Sequence, residues 1–525
     1  LPSDFYHAWR ETGFLRFSRG KGNVSVANSA FIGLCVLGGA FLVFLLLGPL
    51  LIIPLHIPIN YNEGWNALFD NRAVNPGAGP LYPPKSDFVF NNYPPLGFYI
   101  VGACGRFVFG DMIVAGRVIS LVSLLLAGAM TGVCVRLLGA NARSGLAAGL
   151  LMLLFMSTFY RTYVAMDDPQ CLAHAVMLCG LAVLLHRRGL MRLRAGELPI
   201  VNVLGAALLM VAGGFIKHNL IALPIATTCW LLAYHRRAAL LWIVAAIVFL
   251  AFGAGVTFLL HGPIAFADVL HHPRVWRPSL MKQSLSRLAP MLPMAAVEIA
   301  LLRQQFRSAS ADRRSAIVFV AVFNAVALIT GIFQRTGEGV YYNAHFETLI
   351  SVCIGFGLAL SAVFSEVVTF RGYAFGAAGI ACLAAAPLFG GLPWHVPLAW
   401  QDIQGRTARA AAWQPVIARI AAADGRAGCI FMSLCWWANK PSMMDVFNLT
   451  EYLATGGSGQ AFQAAIASGE LGIFEDDPAS FTHRDGKRKL GYDPVMRPIA
   501  AAGYTVAAHG PDGTLLLVPP RPSAR

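Results

Sequence analysis

Charge is scarce in this chain: 13% of its 525 residues are Asp, Glu, Lys or Arg, while 57% are hydrophobic. Soluble domains carry roughly a quarter of their residues charged. A mean hydropathy of +0.61 therefore excludes a soluble enzyme with one greasy patch and implies an all-α polytopic membrane bundle. Walker and G-x-G-x-x-G sequences are also missing, which removes the glycine-rich cradle that soluble folds use for nucleotide phosphates. There is no C-x-x-C and no metal-ligand spacing among the ten cysteines, most of which lie in apolar segments as small core residues. Cys429 and Cys435 fall in a polar stretch and are candidates for a disulfide. Internal repeats and low-complexity tracts are absent. The net charge of +14 does not point to nucleic acid, because the basic residues recur in short groups between apolar runs and act as topology signals.

Arg10, Arg16, Arg19 and Lys21 precede the first apolar run, 31–55, and place the N-terminus in the cytoplasm. That run is too long for a signal-peptide core and lacks a small-residue cleavage site after it, so it is read as a retained anchor. The polar stretch Tyr61-Asn62-Glu63-Gly64-Trp65-Asn66 then emerges on the far side, within a first outer loop (56–112) rich in Pro, Gly, Asn and aromatics that suits interfacial helices. The Arg136/Arg143 and His186-Arg187-Arg188 loops both read as cytoplasmic. Parity then keeps the short apolar segment 94–109 on the outside and brings Asp167 and Asp168 to the face that carries Glu63. Lys217-His218-Asn219 splits the long run 199–234 at an outer hinge. His271-His272-Pro273-Arg274-Val275-Trp276-Arg277 is basic yet external, an exception that suggests an anionic ligand. With Arg371 inside, the count is about eleven spans. Two domains result: a membrane domain, 1–391, and a soluble extracytoplasmic α/β domain, 392–525. In the latter we expect a strand at 429–434, helices near 445–454 and 459–468, a strand at 471–474, and a hairpin turning at Pro511-Asp512-Gly513.

The outer face thus gathers the acids Glu63, Asp167 and Asp168 with Arg161, Lys217, His218, Arg274, Arg277, Arg335 and His345, and with Tyr61, Tyr93, Tyr341 and Tyr342. Acids beside cations at a bilayer surface suit deprotonation of a hydroxyl while a phosphate departs. Phospholipid headgroups are the plainer use for any single cation. Every such acid and cation precedes residue 350, so the C-terminal domain is expected to be accessory, with Trp436 and Trp437 either stacking on sugar or packing in a core.

In its order of motifs the chain resembles the GT-C superfamily of integral membrane glycosyltransferases, near the protein O-mannosyltransferase, aminoarabinose-transferase and lipopolysaccharide-core galacturonosyltransferase-like branches. The matching pieces are Tyr61-Asn62-Glu63, Tyr93-Pro94-Pro95-Leu96, Arg117, Tyr163 with Asp167-Asp168-Pro169, Phe215-Ile216-Lys217-His218-Asn219, and Tyr341-Tyr342-Asn343, over about residues 25–390. The resemblance implies transfer of a sugar from a polyprenyl-phosphate carrier to a hydroxyl of a glycan, lipid or protein, with inversion, in cell-envelope assembly at a bacterial inner membrane. By that implication Glu63 is the general base, and Asp167 or Asp168 orients the acceptor or holds a divalent metal. Lys217, His218, Arg335 and His345 would hold the donor phosphate, and Tyr61, Tyr93, Arg117, Tyr342 and Asn343 would contact sugar or acceptor. A D-x-P register selects Asp167 and a D-P register Asp168. No cofactor beyond that metal is implied. The competing reading is a transporter or flippase for a lipid-linked or anionic substrate, which would place its ionisable groups near the bilayer midplane instead of at span ends.

The topology has a direct test. Single cysteines at Gly79, Gly110 and Ser458 in a cysteine-free background should all react with an impermeant thiol reagent added from outside, and labelling of Gly110 from the cytoplasm alone would break the parity argument.

Overall fold

Uninterrupted apolar runs in lipid must satisfy their backbone internally, and they do so as helices. The computed structural model describes residues 16–18, 24–364, 367–370, 373–440, 443–476 and 493–520; Arg10, Arg19, Lys21 and Arg371 lie outside these. Among the described residues seven helices are long and apolar enough to cross a membrane, or eight if the bent pair Ala377–Ala384 and Ala386–Ala422 is one span. The chain is a multi-pass membrane protein. Eleven spans are not reached by this measure, because Gln170–Leu185, Ile200–Ile216 and Ala222–Tyr234 are only 16, 17 and 13 residues long, against the ~20 needed to cross.

The bundle is built around Phe346–Leu360, which is buried along its whole length. Met112–Leu137 packs against Ala142–Phe159 at two glycine pairs: a Cβ on Gly132 would strike the Gly145 carbonyl, and one on Gly149 would strike the Gly128 carbonyl. Small residues four apart on both helices let the two backbones approach, as is usual within membranes. After the first span Tyr61–Val74 is a helix capped by Asn60, whose side chain accepts from Asn62 N. Leu96–Cys104 follows and continues as a wider turn over Gly105–Phe109.

A small antiparallel sheet joins β1 (Arg16–Ser18), β2 (Val367–Phe370) and β3 (Tyr373–Phe375), and the C-terminal sheet has strand order β5-β4-β6-β8-β7, from β4 (Arg426–Cys429), β5 (Met443–Asp445), β6 (Leu471–Asp476), β7 (Thr505–His509) and β8 (Leu515–Val518). β4 is parallel to β5 and β6, while β8 is antiparallel to β6 and to its hairpin partner β7. The strand expected over 429–434 ends at Cys429, and Met432–Trp437 is helical. The cause is the Cys429–Cys435 disulfide, with Cα atoms 6.0 Å apart; an extended strand would hold residues that far apart in sequence at roughly 20 Å. Helices Val446–Ala454 and Gln460–Ala467 lie where periodicity put them, whereas β5 and the helix Asp493–Ala501 gave no pattern strong enough to read.

The disulfide loop sits directly on the helix Tyr61–Val74. A Cβ on Gly64 would overlap the backbone at Met432 and Ser433. Gly64→Ala should therefore force the two elements apart and lower stability by about 1–3 kcal/mol, measured by thermal unfolding in detergent; an unchanged melting temperature would show that this contact carries no stability.

Candidate functional site

Glu63 and Arg117 lie near the starts of the helices Tyr61–Val74 and Met112–Leu137, and they form a buried ion pair. Arg117 Nε donates to Glu63 Oε1 and Nη2 to Oε2, both at 2.8 Å. Their exposures are 1% and 0%. Arg117 also donates to the carbonyls of Ile52, Ile53, Leu55 and Ile57, at 2.7–3.2 Å, so one guanidinium closes the frayed end of the first span. Glu63 Oε2 further accepts from Ile59 N at 3.1 Å. Neither residue reaches the cavity described below. The sequence expectation that Glu63 faces an acceptor hydroxyl meets this geometry: both of its oxygens are occupied by Arg117. Arg117 likewise contacts protein and not an open site. Trp437 covers the pair, 5.8 Å from ring centroid to the Arg117 guanidinium, and stacks on His56, so this tryptophan packs.

The neighbouring acids divide. Asp167 turns toward Gly116, where any Cβ would overlap its carboxylate, and its carbonyl accepts from Asn66 at 2.6 Å. Burial, then the nearby Asp70, Glu63 and Asp168, pushes the Asp167 carboxyl well above the usual range, and burial does the same to Asp70. Asp168 turns the other way. Its Oδ1 accepts from Gln170 N at 2.8 Å and faces Lys217 Nζ at 3.5 Å, while its buried Oδ2 has no hydrogen-bond partner among the described residues. Burial alone would lower the pKa of Lys217, but Asp168 and Tyr93 more than offset it, and the ammonium is held above its ordinary value. It lies 3.9 Å from the centroid of the Tyr93 ring.

Lys217 opens into a cavity of about 250 Å³. Aromatic walls come from Tyr61, Trp65, Tyr93, Tyr163, Trp276 and Phe447, and carboxamides from Asn62, Asn92, Asn219, Gln334, Asn343 and Asn448. Its cations are Lys217 and Arg274, its imidazoles His218 and His272, and no carboxylate lines it among the described residues. Burial, then Lys217, pushes His218 down to about 4, so it is neutral at physiological pH. The strip 274–277 is held from two sides. Arg277 N donates to Thr336 O at 2.7 Å and Glu338 N to Val275 O at 2.9 Å, while Val275 N donates to Glu451 Oε2 at 2.8 Å.

Of the residues singled out from sequence, Tyr61, Tyr93, Lys217, His218, Arg274 and Asn343 converge on this cavity. Arg335 and His345 do not line it: Arg335 donates to Gln283 Oε1 at 3.0 Å, and the His345 ring is 2.8 Å from Ser284 Oγ. Tyr342 is beside Tyr341 and under Arg287. Sequence reasoning passed over Asn92, Tyr163, Phe447 and Asn448 as site residues. For His272 the signal was present, in a basic loop that breaks the charge rule. Phe447 and Asn448 belong to the C-terminal segment, which therefore builds part of the wall. No three His, Cys, Asp or Glu side chains among the described residues are placed to hold a metal ion.

This helical bundle with its small sheet is a fold that other solved structures share. Among solved structures, the chain is similar to ArnT from Cupriavidus metallidurans in the apo state, with a TM-score of 0.59 and 14% identity over 94% of this chain and 98% of that one. It is also similar to the same organism's ArnT bound to undecaprenyl phosphate, with a TM-score of 0.57 and 12% identity over 92% and 98%. At such identities the likeness concerns the fold. No protein-family model and no curated protein sequence matches.

The buried pair predicts an asymmetric mutational response. Arg117→Met strands a buried carboxylate and should cost about 3–5 kcal/mol. The double variant Glu63→Met/Arg117→Met should recover only part of this, because four carbonyls stay without their donor. Melting temperatures and detergent-resistant yield measure both, and full recovery in the double variant would reduce Arg117 to a simple counter-ion.

Proposed function

We propose that the chain transfers a sugar from a polyprenyl-phosphate-linked donor to an acceptor hydroxyl on the extracytoplasmic membrane face, with inversion, in assembly of a cell-envelope glycan, glycolipid or glycoprotein. The observation that carries the reading is the cavity at the span ends, where Lys217 and Arg274 stand among aromatic rings and carboxamides. Cations suit a phosphate, rings suit the apolar faces of a sugar, and carboxamides suit its hydroxyls. The GT-C fold, shared with an ArnT whose solved structure holds undecaprenyl phosphate, supports a lipid-linked donor. In this reading residues 1–391 form the transferase domain and 392–525 an extracytoplasmic domain that completes the cavity, at an inner membrane with the N-terminus cytoplasmic.

The chemistry follows from the charge layout. The acceptor oxygen bonds to the anomeric carbon while the carbon–oxygen bond to phosphate breaks, and the electron pair leaves with the phosphate beside Lys217 and Arg274. The acceptor proton needs a base. Asp168 stands behind the cavity wall, in contact with the lining residue Lys217 and with one oxygen unpartnered, and is better placed for it than Glu63, whose two oxygens Arg117 holds and which we assign to positioning. Arg335 and His345, outside the cavity wall, would meet the carrier only away from the reacting centre. The alternative of a transporter loses ground because the polar cavity with Lys217 and Arg274 lies at span ends.

Lys217→Ala should raise the apparent KM for undecaprenyl-phosphate-linked sugar by tenfold or more, on the order of the loss of one charge-assisted contact, with the acceptor KM little changed. Arg274→Ala should act in the same direction. Transfer by purified protein from a nucleotide sugar without lipid carrier would overturn the reading.

A further inference from the structure

His272 has one ring nitrogen committed and one free. Its Nε2 is 2.9 Å from Asn448 Oδ1, while Nδ1 has no hydrogen-bond partner among the described residues. The tautomer is decided one residue further along. Asn448 Nδ2 donates to Asp445 Oδ2 at 2.6 Å, and Asn448 N donates to Asp445 Oδ1 at 3.0 Å as Asp445 caps the Val446–Ala454 helix. A carboxylate only accepts, so the amide cannot be turned around without setting two oxygens against each other. Asn448 Oδ1 must then face His272 and can only accept. Nε2 therefore carries the hydrogen, and Nδ1 presents a bare lone pair. Asp445 titrates at about 6, raised chiefly by burial, and is mostly ionised at neutral pH. Burial, then Arg274, pushes His272 down to about 3, which keeps the ring neutral. Pro273 adds rigidity, since the residue before a proline is confined to extended backbone.

We propose that the Asp445–Asn448–His272 chain is a substrate-positioning device in which His272 Nδ1 accepts a hydrogen bond from a sugar hydroxyl in the cavity. Both His272 and Asn448 line that cavity. The neighbouring Arg274 and Lys217 disfavour a third cation, so the group that donates to Nδ1 is a neutral O–H and not an ammonium. The C-terminal sheet thereby sets a specificity element inside the membrane-end cavity, through Asp445 at the end of β5. This inference rests on the transferase reading above and adds the residue that reads the sugar.

The test uses full-length protein in lipid nanodiscs, labelled with ¹⁵N-histidine and assigned by loss of the His272 signals in His272→Asn. The wild-type ring should show a protonated Nε2 and an unprotonated Nδ1, and the Nδ1 signal should move when an undecaprenyl-phosphate-linked sugar binds but not with undecaprenyl phosphate alone. Transfer is assayed with a panel of such donors carrying neutral, amino and uronic sugars. His272→Gln keeps a donor toward Asn448 but leaves no acceptor at the position of Nδ1, and should lower kcat/KM by about tenfold. His272→Asn, which sets an amide oxygen where Nδ1 stood, should restore most of that loss. A protonated Nδ1, or His272→Gln transferring at the wild-type rate with an unmoved Nδ1 signal, overturns this inference alone. Wild-type protein that neither binds nor transfers any member of the panel overturns the transferase reading, and this inference with it.

Discussion

The structure depends first on a guanidinium placed where water cannot reach it. Arg117 holds Glu63 through two parallel hydrogen bonds and closes four carbonyls at the end of the first span. Buried ion pairs repay their desolvation only when geometry is good and every donor is used, and here every guanidinium nitrogen has an acceptor. Three pieces of chain are fixed as a result: the end of the first membrane helix, the start of the interfacial helix at Tyr61, and the opening of the Met112–Leu137 span. Gly64, one residue on, then lets the disulfide loop of the C-terminal sheet approach within backbone contact.

That frame explains why the acids act differently despite adjacent numbers. Asp167 is drawn into the buried group with Glu63 and Asp70, where burial and like charge favour its protonated form. Asp168, on the opposite side of the chain, meets Lys217 and keeps one oxygen without a partner. The cavity on that side holds two cations and no lining carboxylate among the described residues, with neutral amides and rings for the rest. A site so composed suits the donor proposed above, an anion of low charge attached to something rich in hydroxyls. Closure by residues of the 271–277 strip and by Phe447 and Asn448 ties the C-terminal segment to the same space, so the C-terminal sheet and the membrane bundle share one cavity.

Much of this was legible from residue order. Long apolar runs with few charges determine a helical membrane bundle, because no other backbone arrangement satisfies its hydrogen bonds in lipid. The charge-poor runs and the basic loops between them sufficed to bring Glu63, Asp167-Asp168 and Lys217 to a common end, and turn chemistry at Pro511-Asp512-Gly513 sufficed for the β7–β8 hairpin. What sequence could not decide is direction. Whether a carboxylate looks into a cavity or into a guanidinium depends on which distant segment packs beside it, and Glu63 and Arg117 are 54 residues apart. The same holds for Asp167 against Asp168, neighbours whose side chains leave on opposite sides, and for Asn448, an unremarked amide that fixes a histidine 176 residues away. The short spans were beyond reach for a related reason: hydropathy marks where a helix is apolar, but only packing against neighbours settles how much of the bilayer it must cross.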